Sequence, residues 1–174
     1  MWHSQMPDIE DFYYRHADDV RRFALYLSGD AVMADEITSD TFVRAWMAVD
    51  RIRQPTVKSY LFAIARNIYR DFHRRAAVHT GLDDNLPDTR ITAEEQMLLS
   101  QEVREVLMAL QQLPEIDRAV LLLRALDDMS YEDIAETVGI QVVDARVRVH
   151  RARVKLMQAR QAWRDLVPAA GARR

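Results

Sequence analysis

The basic residues near the end of the chain are of the types that bind polyanions. Arginine and lysine recur at every second or third position over residues 146–155, with one histidine among them. Such cations neutralise phosphates, and arginine can also donate two hydrogen bonds to the edge of a guanine. The candidate DNA-contacting residues of this segment are Arg146, Arg148, His150, Arg151, Arg153 and Lys155.

The charge of the chain is concentrated in blocks. Residues 44–75 hold eight basic and two acidic residues, and residues 137–174 hold nine basic and two acidic ones. The segments before each block are acidic, so the whole chain has a net charge of only −3. Two basic blocks indicate two separate surfaces that face a polyanion. A solvated helix face is the alternative explanation for either block taken singly.

Other kinds of chemistry find little support in the sequence. The five histidines lack a ligand spacing such as His-x-x-x-His, no glycine-rich phosphate loop is present, and there is no cysteine. We therefore expect no enzyme activity, no metal and no cofactor. No window reaches eighteen apolar residues, so no membrane insertion is expected. The lack of cysteine fits a cytoplasmic protein.

The apolar residues that must position these cations recur at helical spacing. Val20, Phe23, Ala24 and Leu27 follow the i, i+3, i+4, i+7 pattern, and Gly29 can end that helix in a left-handed conformation. Further helical patterns run through residues 37–49, 60–72, 97–110, 120–123 and 142–163. No segment alternates with the period of two that a strand requires. The sequence therefore predicts an all-α fold.

A change of composition separates two helical units. Residues 76–90, AAVHTGLDDNLPDTR, hold a glycine, a proline and three aspartates without apolar periodicity, which is typical of a linker. Residues 92–95 then match a capping box that starts a new helix. We therefore predict a small helical domain at residues 1–76, a flexible linker at 77–92 and a second small helical domain at 93–174.

The segment from Ser130 to about Trp163 has the layout of a helix-turn-helix. Ser130 can cap a short helix, Gly139 supplies a left-handed turn, and a long basic helix follows from about Val142. In this motif the second helix enters the major groove, so its outer face must be cationic. The acidic residues Glu132, Asp133 and Glu136 lie on the supporting helix, which explains why the charges are separated.

Both units resemble parts of one protein family. Residues 35–75, which begin DEITSD and end DFHRR, resemble region 2 of the extracytoplasmic-function (ECF) sigma factors, the smallest members of the bacterial sigma factor family. Residues 113–156, from LPEIDR to RVKL, resemble region 4 of these proteins. The two motifs occur in the order that the family has, and the resemblance covers about residue 8 to about residue 166.

The resemblance implies an alternative-type sigma factor, which binds core RNA polymerase, directs it to specific promoters and promotes transcription initiation. It implies binding of promoter DNA both as a duplex and as a melted single strand. An anti-sigma factor is a further implied partner, and a tethered pair of domains is expected to be monomeric when free. The alternative is a sigma-like decoy, a module that binds an anti-sigma factor or the polymerase without directing initiation.

The resemblance also implies roles for individual residues. The acidic start of the second helix is implied to dock on the polymerase through Asp35, Glu36, Asp40 and Arg44. Asn67 matches the asparagine at the pocket for a flipped base of the minus-ten element. The groove for single-stranded DNA, which needs cations and aromatic platforms, is implied to comprise Lys58, Tyr60, Arg66, Asn67, Arg70, Arg74 and Arg75. Region 4 is implied to read the minus-thirty-five element through Arg146, Arg148 and Arg151.

The recognition helix departs from the family pattern where it would meet DNA. Gln141 stands where a proline or serine is common, Val143 where a small residue is common, Asp144 where a threonine is common, and Val147 where a serine is common. Loss of the hydroxyls removes an N-cap and a phosphate contact. The carboxylate of Asp144 repels phosphate, yet it could accept a hydrogen bond from cytosine N4. Two expectations stay open, an unusual minus-thirty-five sequence or a weak reading of this element.

Overall fold

The structure is a computed structural model of the chain, and it describes residues 9–48, 57–80, 97 and 99–166. Within these ranges the chain forms seven α-helices and no strand, which confirms the predicted all-α fold. The helices are α1 (Ile9–Ser28), α2 (Ala31–Met47), α3 (Val57–Thr80), α4 (Gln101–Gln111), α5 (Glu115–Asp127), α6 (Tyr131–Val138) and α7 (Val142–Leu166).

Local sequence signals fix several ends of these helices. Gly29 follows α1 with a φ of +70°, the left-handed conformation that glycine adopts at least cost. Asp30 then caps α2, because its side chain accepts a hydrogen bond from the backbone N–H of Met33 at 2.9 Å. Pro114 ends the preceding turn, and α5 begins at Glu115. The predicted helix end at Gly29 is therefore confirmed.

Two predicted boundaries differ from the structure. The first helical unit was expected to end at residue 76, but α3 continues to Thr80 because neither glycine nor proline interrupts residues 57–80. The predicted helix over 97–110 is interrupted at Ser100, whose hydroxyl accepts from the N–H of Val103 at 3.3 Å and caps α4. The predicted capping box at 92–95 and most of the predicted linker lie outside the described residues.

One apolar core runs through both halves of the molecule. In the first half the rings of Phe23 and Phe62 are buried and their centroids lie 5.0 Å apart. In the second half, Leu110, Leu123 and Ile134 belong to the same cluster. Each buried side chain of this size contributes about 1.5–3 kcal/mol, so α1–α3 and α4–α7 are both held by apolar packing.

The two halves also contact each other directly. Helix α1 packs against α4 and α5, and α3 packs against α6. On α4, Nε2 of Gln111 donates to the backbone oxygen of Tyr26 at 3.2 Å. The same side chain lies so close to Gly29 that a Cβ added there would come within 2.9 Å of Gln111 Cδ. Glycine at residue 29 therefore serves both the end of α1 and the approach of α4.

Candidate nucleic-acid interface

Four of the predicted DNA-contacting residues share one face of α3. Tyr60, Asn67, Arg70 and Arg74 are separated by steps of seven, three and four residues, which return a helix to the same side. Asn67 and both arginines are exposed, whereas Tyr60 is half-buried and packs against the core. A ring, an amide and two guanidinium groups in a row can stack on a base, bond its edge and contact phosphates.

Asp71 connects this face of α3 to α2. Its carboxylate pairs with Arg74 on the same helix and lies 3.9 Å from Nη1 of Arg44 on α2. Arg75 is exposed on a neighbouring face of α3. Exposed ion pairs contribute less than about 1 kcal/mol. Such weak pairs orient the guanidinium groups of Arg44 and Arg74. Because the pairs are weak, a phosphate can replace the carboxylate of Asp71.

Arg66 turns away from that face and toward the second half of the molecule. It is 6% exposed, and its Nε and Nη2 donate to the two carboxylate oxygens of Glu115 at 2.7 and 2.9 Å. Its Nη1 donates to the backbone oxygen of Val138 at 3.1 Å. A bidentate pair of this geometry is strong and directional. In the described arrangement Arg66 therefore joins α3 to α5 and α6.

Lys58 makes a second ionic link between the halves. Its Nζ lies 2.6 Å from a carboxylate oxygen of Asp19 on α1 and 3.0 Å from one of Asp127 on α5. The hydrogen bond to Asp19 raises the pKa of Lys58 above its usual range, and Asp127 adds to this, against a smaller lowering by burial. Lys58 is therefore held as a cation between two acids.

The predicted polymerase-binding residues lie on the outer face of α2. Asp35, Glu36, Asp40 and Arg44 are all exposed, and Asp35 accepts a hydrogen bond from Nε of Arg21 at 2.6 Å. Apolar side chains are exposed on the same helix, namely Val32, Val43, Trp46 and Met47. A mixed acidic and apolar surface suits a protein partner, because apolar contacts supply affinity and charges set orientation.

Helices α6 and α7 form the predicted helix-turn-helix. Ser130 caps α6 by accepting from the N–H of Asp133 at 3.0 Å. Gly139 ends α6 with a φ of +75°, and its N–H donates to the backbone oxygen of Ala135 at 2.9 Å. Ala135 and Ala145 are both buried. Small side chains at these positions let the two helices approach closely.

The cations of α7 divide between two sides of the helix. Arg148 donates to Asp117 on α5 at 2.8 Å, and Nζ of Lys155 lies 3.8 Å from the other oxygen of the same carboxylate. The side chain of Asp117 is only 8% exposed. Lys155 is itself exposed, as are Arg146, His150, Arg151 and Arg153. Arg148 and Lys155 thus pair with α5, whereas Arg146, His150, Arg151 and Arg153 make no contact with Asp117.

Arg146 packs against the supporting helix while staying exposed. Its guanidinium carbon lies 5.3 Å from the centroid of the Tyr131 ring, and its Nη2 lies 3.8 Å from a carboxylate oxygen of Glu132. A cation over an exposed aromatic ring contributes about 0.5–1 kcal/mol. These contacts fix the first turns of α7 against α6.

The acids that pair with Arg66, Arg148 and Lys58 were missed by reasoning from the sequence. Glu115, Asp117 and Asp127 are 49, 31 and 69 residues from their partners, so no local periodicity indicates these pairs. Arg118 was also missed: it is buried, and it donates to Gln111 and, at 3.2 Å, to the hydroxyl of Tyr69 on α3. The available signal was a set of charged residues within an otherwise buried helix, α5.

Two other kinds of site are absent from the described ranges. No three or more His, Cys, Asp or Glu side chains among these residues are placed to hold a metal ion. None of the helices in the described part of the chain is both long and apolar enough to cross a membrane.

Two family models match the chain. The model described as Sigma-70 region 2 matches residues 12–78, and the model described as Sigma-70, region 4 matches residues 103–156. The first match covers most of α1–α3. The second covers α5 and α6 together with most of α4 and part of α7. Each match therefore coincides with one helical half of the structure.

Curated relatives are similar over most of the chain. The ECF RNA polymerase sigma factor EcfG of Rhodopseudomonas palustris is 33% identical over 139 residues, which cover 79% of this chain and 76% of EcfG. The ECF RNA polymerase sigma factor SigE of Mycolicibacterium smegmatis is 31% identical over 159 residues, or 87% of this chain. The chain spans 61% of the length of SigE.

A solved structure has the same fold. The sigma factor RpoE of Bartonella quintana, in complex with the anti-sigma factor NepR, matches with a TM-score of 0.77 at 24% identity, over 90% of this chain and 98% of RpoE. Matches to both sigma regions, and a relative more than 30% identical over most of both chains, identify the family. This protein belongs to the extracytoplasmic-function family of RNA polymerase sigma factors.

Proposed function

We propose that this protein binds core RNA polymerase, directs it to specific promoters and promotes melting of the promoter DNA. The observation that carries the proposal is the face of α3 formed by Tyr60, Asn67, Arg70 and Arg74 within the region 2 match. An unpaired strand requires cations beside a stacking platform, and this face offers both. The polymerase supplies the chemistry of RNA synthesis, so this protein contributes binding groups and no catalytic group.

Asn67 is the proposed contact to an extruded base of the minus-ten element. Its exposed amide can both donate to and accept from a base edge. Arg70 and Arg74 lie one and two turns further along and can neutralise phosphates. The ring of Tyr60 can stack on a base, which is worth about 1–3 kcal/mol. Arg66 would join this groove only after leaving Glu115.

The proposed duplex contacts lie on α7. Arg146, His150, Arg151 and Arg153 are exposed and can reach phosphates or base edges of a minus-thirty-five element. Arg148 and Lys155 are bound to Asp117, so we assign them the orientation of α7 in this arrangement. Lys58 and Arg75 complete the proposed DNA-binding set on α3. Lys58 pairs with Asp19 and Asp127 in this arrangement.

We propose two protein partners, the polymerase for the exposed face of α2 and an anti-sigma factor for the chain as a whole. The acidic and apolar face of α2, including Asp35, Glu36 and Asp40, would dock on the polymerase. An anti-sigma factor is proposed as a regulator, and the support is that the similar RpoE was solved with one. We further propose that the chain is monomeric when free and acts in the cytoplasm, where the polymerase works.

A sigma-like decoy is the second candidate, and the start of α7 favours it. Val143 and Asp144 are exposed where a helix reading DNA would have groups that bind phosphate. The discriminating experiment is transcription of fragmented genomic DNA by core polymerase with the purified protein, followed by sequencing of the transcript ends. New start sites that share an upstream motif would support the sigma factor. Stable polymerase binding without new starts would establish the decoy.

Asn67→Ala tests the site within the same assay. We expect roughly a tenfold loss of open promoter complexes, the effect of removing hydrogen bonds worth about 1.4 kcal/mol, with polymerase binding unchanged. Val78→Ala is the matched control, because Val78 is an exposed residue of the same helix. Loss of polymerase binding by Asn67→Ala would contradict the proposed position of the melting pocket.

A further inference from the structure

The first two turns of α7 expose a carboxylate and two branched apolar side chains. Val143 and Val147 are 71% and 40% exposed, and Asp144 is exposed between them. A recognition helix contacts base edges with its N-terminal residues. These three side chains therefore occupy positions from which α7 would read the sequence of a duplex.

The packing of α7 directs these side chains outward. Ala145 is buried against the rest of the second half, and so is Val149 one turn later. At about 100° per residue, Val143 and Val147 each lie about 200° around the helix from Ala145, whereas Asp144 lies about 100° from it. The valines therefore form the centre of the outward side of α7, and the carboxylate lies at its edge.

The arginines of these turns contact other helices. The guanidinium carbon of Arg146 lies 5.3 Å from the ring centroid of Tyr131 on α6, and Arg148 donates to Asp117 on α5 at 2.8 Å. An arginine that reads guanine must instead aim two N–H groups at the edge of one base. The carboxylate of Asp144 and the methyl groups of the valines are therefore the groups that the start of α7 offers to bases.

We propose that Asp144, Val143 and Val147 determine which bases α7 prefers in a duplex, namely a cytosine beside one or more thymines. A carboxylate accepts a hydrogen bond from cytosine N4, and a valine methyl group packs against the C5 methyl group of thymine. Adenine also has a donor at N6, but its N7 acceptor repels a carboxylate. This preference rests on the proposed function, because it describes the duplex that the second half would bind.

The spacing of the three side chains limits the length of the preferred sequence. Val143 and Val147 are four residues apart, which is about 6 Å along the axis of α7. Successive base pairs of a duplex are about 3.4 Å apart. The three side chains can therefore contact two or three adjacent base pairs.

One carboxylate is compatible with DNA binding because cations surround it. Arg146, His150, Arg151 and Arg153 are exposed on the same helix and supply attraction to phosphates. Asp144 then acts by discrimination, because it repels the acceptors of guanine and thymine and attracts the donor of cytosine. The decoy, by contrast, requires no preference among bases.

The test selects duplexes from a pool of random sequence with the full chain. The outward side of α7 is exposed in the described arrangement, so this step needs no polymerase. Sequencing of the bound duplexes should show enrichment of a cytosine with a thymine in an adjacent base pair. Replacement of that cytosine by guanine should weaken binding by about tenfold.

Asp144→Asn should change the preferred base without abolishing binding. Asparagine pairs with N6 and N7 of adenine, so the variant should prefer adenine where the unaltered chain prefers cytosine. Glu136→Gln is the matched control, because Glu136 is an exposed acid on α6 and its replacement removes the same charge. The control should bind all duplexes slightly more tightly and keep the preference for cytosine.

Deoxyuridine tests the two valines, because uracil lacks only the methyl group of thymine. Its use in place of thymine in the selected duplex should weaken binding of the unaltered chain by about fourfold, the effect of one buried methyl group. The double variant Val143→Ser, Val147→Ser should not distinguish the two duplexes. Val78→Ser, at an exposed site on α3, should distinguish them as the unaltered chain does. Circular dichroism checks that each variant is folded.

Three results would overturn the proposal: no enriched sequence, an enriched sequence that Asp144→Asn leaves unchanged, or equal binding of the thymine and uracil duplexes by the unaltered chain. The transcription experiment tests the proposed function separately. New start sites without a base preference set by Asp144 would reject the preference alone. An enriched sequence without new start sites would reject the sigma factor activity and leave the reading of bases by α7 in place.

Discussion

Helices α3 and α7 are both long and basic, but they use their cations differently. On α3 the exposed arginines line up with Asn67, while Arg66 is buried against Glu115 of the other half. On α7 the exposed arginines lie among exposed valines, while Arg148 is paired with Asp117 within the same half. Each helix thus divides its positive charge between an outward surface and an internal acid.

The comparison shows that a basic block in a sequence does not by itself define a DNA-binding surface. Part of each block supplies packing contacts, and in α3 these contacts cross between the two halves. The exposed cations of the two helices have different neighbours. On α3 they lie in a row with polar side chains, and on α7 they lie beside apolar ones. Substitutions that remove an internal cation should therefore act on stability, and those that remove an exposed one on binding.

Arg66→Ala should give the largest effect on stability. It leaves the carboxylate of Glu115 without its bidentate partner and Val138 O without a donor, at a cost of about 3 kcal/mol. Urea unfolding would measure this, with Arg70→Ala on the exposed face as a control expected to change stability by less than about 0.5 kcal/mol. Equal losses for the two variants would show that the contacts of Arg66 with Glu115 and Val138 contribute no more to stability than an exposed arginine does.

Arg148→Ala should cost less, about 1.5 kcal/mol, because Lys155 stays near Asp117 and Arg148 is itself partly exposed. Arg151→Ala is the comparison on the outer side of the same helix. It should leave thermal unfolding almost unchanged while reducing the salt dependence of duplex binding by about one phosphate contact. A stable Arg148→Ala variant with a reduced salt slope would mean that Arg148 faces DNA rather than Asp117.

Gly29→Ala and Gly139→Ala compare the two left-handed glycines. Both have positive φ, so alanine at either should cost about 1 kcal/mol in backbone strain. Only Gly29 has a neighbour, the buried side chain of Gln111, while a Cβ at Gly139 meets nothing within 4 Å. We expect Gly29→Ala to cost about 1 kcal/mol more, because Gln111 must give up a hydrogen bond. Equal values from urea unfolding would mean that Gln111 moves freely.

His16 should give the smallest effect, and it appears only in acid. Burial is the main cause that lowers the pKa of His16 from its usual 6.5, helped by the charges of Lys58 and Arg15 and opposed by Asp19. Because the folded pKa is the lower one, the stabilisation is complete above 6.5 and is lost as pH falls through the folded value.

His16→Phe should keep the ring contact with Phe12 and make unfolding less dependent on pH below 6.5. The difference should be small because His16 is only part-buried and water screens its charge. His150→Phe, at an exposed position on α7, is the control. An unchanged pH dependence for His16→Phe would show that other groups carry it.

The local features of this fold could be predicted from the sequence, and its long-range contacts could not. Gly29, Pro114, Ser130 and Gly139 each act on the few residues beside them, so their effect on helix ends follows from residue type. The basic blocks were equally visible. The partner of Arg66 is 49 residues away, and several acids on α5 and α6 could serve it, so only the packing of the halves selects Glu115.

The contacts of Asp117 affect how α7 is presented to a binding partner. Its two oxygens contact Arg148 and Lys155, which are seven residues apart and so lie on the same side of the helix, two turns from each other. Two contacts along one side of α7 oppose rotation of the helix about its long axis. Together with the buried Ala145, Val149 and Ala152, this carboxylate on α5 determines which side of α7 faces outward. Substitution of Asp117 would remove both contacts. It would therefore change the orientation of the outward side of α7 without changing any residue on that side.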